Sequence, residues 1–270
     1  MGELIPLFPL GTPLFPGVVL PLQIFEPRYR RLVRDLTDLP ETSDRRTFGV
    51  VAIRQGWEVE KVAPVEALYD VGCTARLHAV RPQSDGGFRI VTVGGDRFRL
   101  LDVVVGAEPP YLLGQVEWLA DDEAAEEAAG DADGFDPAAG TGVGPSGRSS
   151  EQEDVAASVA RGSLTVLVGG VRDLFLEYVA EVAALGLGRE DVEVATLLDA
   201  VAEDPAALSW LVASAALLTT EDRQQLLAES ATRRRLITES RLLRRELTLL
   251  QTLGAVPVPL QQFAAPMTVN

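Results

Sequence analysis

Cys73, His78 and Lys61 are the only cysteine, histidine and lysine among the 270 residues of this chain. One cysteine excludes an internal disulfide, which fits the reducing cytoplasm, and one cysteine with one histidine excludes a zinc site built from those ligands. A Ser-His-Asp arrangement would have to use His78, which sits in an alternating strand pattern and reads as a surface or satisfied strand residue. No base-bearing pattern accompanies Cys73, so it reads as a buried, inert filler. A phosphate-binding loop needs a lysine after its glycines, whereas Lys61 stands between Glu60 and Val62. The same charged surroundings, Glu58-Val59-Glu60-Lys61, leave it unsuited as a desolvated base. The 40 acidic residues offer no spacing that singles out a catalytic pair. No cofactor, metal or enzymatic activity is therefore expected. There is no run of eighteen apolar residues for a membrane span and no leader pattern, so a cytoplasmic location is expected. Positive charge is scarce as well: the formal charge of −16 repels nucleic acid and anionic membrane surfaces.

Proline and turn signals dominate the beginning of the chain. Pro6, Pro9, Pro13, Pro16 and Pro21 punctuate an apolar run and force short extended pieces and turns. Phe15-Pro16-Gly17 is a turn in which Gly17 is free to take positive φ. Pro27 suits a first helical position, and Tyr29, Leu32, Val33 and Leu36 follow at helical spacing. Glu26 lies at the positive end of that helix, within reach of Arg28 or Arg30. Short strands are expected over Thr47–Ile53, Ala75–Val80, Phe88–Val93 (entered from the Asp85-Gly86-Gly87 turn), Arg97–Val105 after Gly94-Gly95-Asp96, and Tyr111–Trp118. Such strands with one helix suggest a small, partly closed barrel over residues 1–120.

Residues 121–154 hold eleven acids against one base, Arg148, which is ten of the sixteen net negative charges. An acidic Gly/Ala-rich tract of this kind is expected to be a solvated, disordered insert. From 155 to 253 the apolar period becomes helical. Val171, Leu174, Phe175, Tyr178, Val179, Val182 and Leu185 form one stripe. Asp204-Pro205 and Thr219-Thr220-Glu221-Asp222 are helix starts. The last helix, Ala231 to Leu253, carries six arginines and two glutamates, with Leu236, Leu243, Leu247 and Leu250 in a narrow seam. It packs on its own domain or pairs with a second copy. Residues 254–270, opened by Gly254 and interrupted by Pro257 and Pro259, are expected to form a flexible tail.

The stretch Leu14-Phe15-Pro16-Gly17-Val18-Val19-Leu20-Pro21-Leu22-Gln23-Ile24-Phe25-Glu26-Pro27-Arg28-Tyr29-Arg30 resembles the opening signature of the Lon protease N-terminal domain family. Val71-Gly72-Cys73-Thr74-Ala75-Arg76-Leu77, Gly94-Gly95-Asp96-Arg97-Phe98-Arg99-Leu100, Pro109-Pro110-Tyr111 and Thr220-Glu221-Asp222-Arg223 follow in that family's order. The resemblance implies an α+β chain: a PUA-like β-barrel, then a helical bundle ending in a long helix. It also implies a substrate-recognition role in protein quality control or as an adaptor. With one lysine, neither the motor nor the Ser-Lys peptidase that usually follows this domain is expected in the chain, which reads as a free-standing bacterial module. Its expected partners are unfolded client proteins or peptides, a separate protease or ATPase, and a second copy through the C-terminal helix. Phe15, Phe25, Glu26, Arg28 and Tyr29 are the candidate binding residues; the structural alternative makes Glu26, Arg28 and Tyr29 a cap and packing corner. An RNA-binding module, using Arg97 and Arg99 with Phe98 or Arg28, Arg30 and Arg31 with Tyr29, is the second reading. An uncharacterised hydrolase is the third.

Overall fold

The computed structural model describes residues 2–54, 65–106, 108–120, 150–185 and 191–254, with the side chains of 150–161 and 191–193 left aside. Residues 121–149 of the acidic tract, the segment with Lys61 and the tail from 255 onward lie outside the described residues. In chain order come strands β1 (Glu3–Leu10) and β2 (Val19–Ile24), helix α1 (Pro27–Thr37), and strands β3 (Thr47–Ala52), β4 (Val71–Pro82), β5 (Phe88–Val104) and β6 (Leu113–Leu119). Helices α2 (Ser150–Ala184), α3 (Asp191–Ala200), α4 (Pro205–Ala215), α5 (Thr220–Ala228) and α6 (Thr232–Leu253) follow. The chain is α+β.

The strand order is β2-β5-β4-β3-β1-β6, and β6 pairs back onto β5, so five strands close a ring while β2 hangs from β5 as an edge. β5 makes this possible by its length: Phe88–Val93 pair with β2, and Arg97–Val104 pair with β6. Sequence reading expects a break at Gly94-Gly95, but the strand continues through them, with only a register shift against β4 between Gly94 and Arg97. A Cβ on Gly94 would lie 2.0 Å from the carbonyl oxygen of Phe15, so glycine is there for close approach rather than for a turn. The turn it touches is the expected one, with Gly17 at φ 73°. β1 keeps both of its internal prolines, Pro6 and Pro9.

Inside the ring Ile5, Leu7, Val51, Ile53, Leu68, Phe98, Leu100, Leu112 and Val116 form the apolar core. Burial of each large side chain stabilises by about 1.5–3 kcal/mol relative to exposure. Outside the ring, α1 buries Tyr29, Leu32, Val33 and Leu36 as its spacing predicts. Tyr29 stacks on Phe8 of β1 at 4.0 Å.

The described residues form two compact units: 2–120 with 213–228, and 150–212 with 229–254. The helical region expected over 155–253 is thus divided, because α5 belongs to the barrel. Gln224 Nε2 donates to the Val71 carbonyl at 2.8 Å, and the buried Arg97 donates to the Leu227 carbonyl at 2.8 Å. The Tyr69 hydroxyl donates to Glu221 at 2.6 Å. The expected capping pattern forms, with the Asp222 amide on Thr219 Oγ1 at 3.1 Å and that hydroxyl on Asp222 Oδ2 at 2.6 Å.

In the second unit α2 packs on α6. Val171, Phe175, Tyr178 and Val182 are buried, as are Leu236, Leu243, Leu247 and Leu250. The leucine seam offered for pairing with a second copy is therefore covered within the chain itself. Beside it lies a buried polar network. Arg235, with no exposed surface, sits 3.5 Å over the Trp210 ring. It donates to Ser209 Oγ at 2.7 Å, to Thr232 Oγ1 at 2.9 Å and to the Glu229 carbonyl at 2.7 Å. Ser209 donates in turn to Glu239 at 2.7 Å. Burial outweighs this hydrogen bond and the nearby arginine, raising the Glu239 carboxyl to about 8.

Candidate functional site

The N-terminal signature folds into one wall of a groove on the barrel unit. Phe8, Pro9, Leu10 and Gly11 from the end of β1 face Leu22, Gln23, Ile24 and Phe25 from β2, and Glu26, Arg28, Tyr29 and Ile53 complete a space of about 290 Å³. Volume of this order approaches that of small-ligand pockets, and the lining is apolar except at one end. At that end Arg28 and Glu26 form an ion pair at 2.9 Å, and the Arg28 guanidinium lies 4.6 Å over the Tyr29 ring. Glu26 stands at the helix N-cap but makes no capping hydrogen bond; its carboxylate goes to Arg28 instead.

The five candidate residues divide sharply. Phe25 is 63% exposed, an unusual state for a phenylalanine, and lies in the groove with Glu26, Arg28 and Tyr29. Phe15 does not reach it. That ring is fully buried, 5.6 Å under the Arg223 guanidinium, and belongs to the core. Tyr29 is 3% exposed, and burial raises its hydroxyl to about 12. That hydroxyl has no hydrogen-bond partner among the described residues. Sequence reading missed Phe8, Pro9, Leu22 and Ile53 as lining residues. Pro9 and Leu22 carried a signal, since both flank the apolar run that the signature occupies, but their facing across a gap needed the sheet.

A larger depression of about 650 Å³ lies elsewhere on the barrel, lined by Thr37, Glu41, Arg46, Arg76, Leu77, His78, Ala79, Val80 and Val93. It is polar and part of its charge is already matched, since Arg76 bonds Asp44 at 2.8 Å. His78 is exposed on its strand, as expected. Cys73 is fully buried and its thiol is pushed up to about 12 by burial, a state in which it stays protonated. The basic-aromatic patch proposed from Arg97, Phe98 and Arg99 does not assemble on the surface. Arg97 and Phe98 are buried, and Arg99 pairs with Glu117 at 3.6 Å. Among the described residues no cluster of His, Cys, Asp or Glu could hold a metal ion. No helix among them is long and apolar enough to cross a membrane.

Comparison with known proteins identifies this architecture. The chain matches the ATP-dependent protease La (LON) substrate-binding domain over residues 4–245. It is 27% identical over 244 residues to Lon protease 1 of Herpetosiphon aurantiacus, covering 90% of this chain and 24% of that protein. It is 30% identical to the Lon protease of Parabacteroides distasonis over 45% of this chain and 14% of that one. The chain thus spans a quarter or less of the length of these relatives. Its fold is similar to the Lon N-terminal domain protein from Xanthomonas campestris, at TM-score 0.51 and 24% identity over 90% of this chain and 98% of the other. The N-terminal domain of the Mycobacterium avium complex Lon protease gives 0.52 and 18%, with the same coverage. The domain so matched is the substrate-binding part of Lon and not its catalytic part. The chain belongs to the family of Lon substrate-binding domains.

Proposed function

We propose that this chain is a non-catalytic recognition module that captures unfolded segments of client proteins in the Phe8–Phe25 groove. In this reading it serves a protease or ATPase in cytoplasmic quality control, or acts as an adaptor for one. The observation that carries the reading is Phe25: a 63% exposed aromatic beside an apolar trough, in the segment that matches the family signature. Exposed apolar surface of this kind on a folded domain marks an interaction site. The groove suits unfolded chains because apolar side chains, covered in folded proteins, are what it is lined to accept. The Glu26–Arg28 pair at one end adds a polar stop.

The test is direct. Fluorescein-labelled, reduced and carboxymethylated α-lactalbumin, which cannot fold, is titrated with the protein and followed by anisotropy. Saturable binding is expected, weakened at least tenfold by Phe25→Glu with an unchanged melting temperature. Absence of saturable binding by the folded wild-type protein would overturn the proposal.

A further inference from the structure

The groove is a gap between two strand edges, which specifies how a chain would be held. β1 pairs with β6 only over Glu3–Pro6 and with β3 over Leu7–Leu10, so among the described residues its second half is paired with a strand on the β3 side alone. Among the described residues β2 pairs with β5 alone and ends the strand order. Strand alternation then fixes which main-chain groups face the gap. In β1, the Ile53 amide donates to the Leu10 carbonyl on the β3 side, whereas the Leu7 amide donates to the Leu112 carbonyl on the opposite side. Pro9 shares the phase of Leu7, so its carbonyl points away from β3 and toward the gap. In β2, the Gly94 amide donates to the Val18 carbonyl, which sets Leu20, Leu22 and Ile24 toward β5 and Val19, Pro21 and Gln23 toward the free edge. Gln23 thus offers an amide and a carbonyl to the gap, and Pro9 and Pro21 offer carbonyls without amides.

Two further observations select the occupant. A reciprocal ladder with a second copy needs donors as well as acceptors along each edge, and the prolines remove them, so self-pairing is disfavoured. Tyr29 lines the groove at 3% residue exposure, and its hydroxyl is buried there with no hydrogen-bond partner among the described residues. A buried polar group left so is costly and calls for an explanation.

We infer that the gap takes an extended apolar segment of a client by strand addition, its main-chain amides donating to the Pro9 and Gln23 carbonyls and its backbone meeting the Tyr29 hydroxyl. This rests on the recognition reading above and specifies its mode: backbone geometry is read, with alternate apolar side chains entering the trough. Recognition is then tolerant of sequence but rejects proline at the positions that must donate.

Twelve-residue peptides tiling the α-lactalbumin sequence are screened on cellulose against the full chain, and the tightest binder is resynthesised with single N-methyl groups at successive positions. The expected result is a loss of affinity of tenfold or more at alternate positions over four to six residues, with little effect between them. Tyr29→Phe is expected to weaken the same peptide about fivefold while leaving the melting temperature unchanged or raised, because a merely structural tyrosine would give up only an unsatisfied hydroxyl. Equal tolerance of N-methylation at every position, or an affinity unchanged in Tyr29→Phe, overturns strand addition while leaving the recognition reading in place. Retention of no peptide by the folded protein removes both.

Discussion

At the centre of the barrel unit stand Phe98, Leu7 and Val51, whereas the largest fully buried side chain of the helical unit is Arg235. The first unit excludes charge from its ring and meets its geometric constraints with strand register and close approach. Its one buried cation among the described residues, Arg97, leaves the ring and ends on a helix carbonyl. The second unit buries a guanidinium and a carboxyl on the same helix, one turn apart, joins them through Ser209, and holds the guanidinium on Thr232 and the Trp210 ring, while Glu239 Oε2 has no partner among the described residues. A helix bundle needs such a device more than a barrel does. An apolar helix face tolerates rotation and sliding, whereas a strand slipped by one residue turns every side chain over. A single buried polar cluster permits one alignment of α4 against α6 and penalises the others.

Removing the central group of each unit gives the largest expected effects. Phe98→Ala should cost about 3–5 kcal/mol, because the ring closes tightly round Phe98 and cannot collapse into the cavity. Urea denaturation measures the loss, and amide exchange should place it in β4, β5 and β6. Arg235→Ala should cost a similar amount, on the order of 3–5 kcal/mol, since it empties a buried site and strips Ser209, Thr232 and the Glu229 carbonyl of their donor. Amide exchange should rise in α4 and α6. Loosening of the strands by Arg235→Ala to the same degree would erase the contrast between the units.

The pH response comes next and has a definite sign. The Glu239 carboxyl is raised to about 8 from its ordinary 4.5, so the folded state holds its proton more tightly than the unfolded chain. Its stabilising contribution is complete below pH 4.5 and is lost as pH rises through about 8. Glu239→Gln carries no such titration, so the variant's melting temperature relative to wild type should climb between these limits and level off above them. A constant difference across this range would show that the carboxylate is already charged at low pH.

The smallest effect belongs to the cap of α5. Thr219→Ala removes the acceptor for the Asp222 amide and should cost about 1 kcal/mol. The loss should appear in the barrel unit, because α5 is bonded there through Gln224 and Leu227.

Periodicity and punctuation made much of this legible. The face of α1, the Asp85-Gly86 hairpin, the positive φ of Gly17, the cap at Thr219 and the buried stripe from Val171 to Val182 all rest on residues within a few positions of one another. The misreading at Gly94-Gly95 has the opposite origin. Glycine signals a turn and a close contact equally well, and only the approach of Phe15, some eighty residues earlier, distinguishes them. The site divides in the same way. Phe25, Glu26, Arg28 and Tyr29, named from their local signature, line the groove, whereas Phe15, equally apolar and in the same run, went to the core.

Local chemistry therefore specified the elements, their faces and the N-terminal signature that lines the groove. It could not specify that β5 serves two partners along its length, that α5 joins the barrel, or that the C-terminal leucines are covered within their own unit. Those outcomes depend on contacts between residues tens to more than a hundred positions apart. Such contacts compete for the same apolar faces, and the winner is set by three-dimensional packing that no stretch of sequence contains.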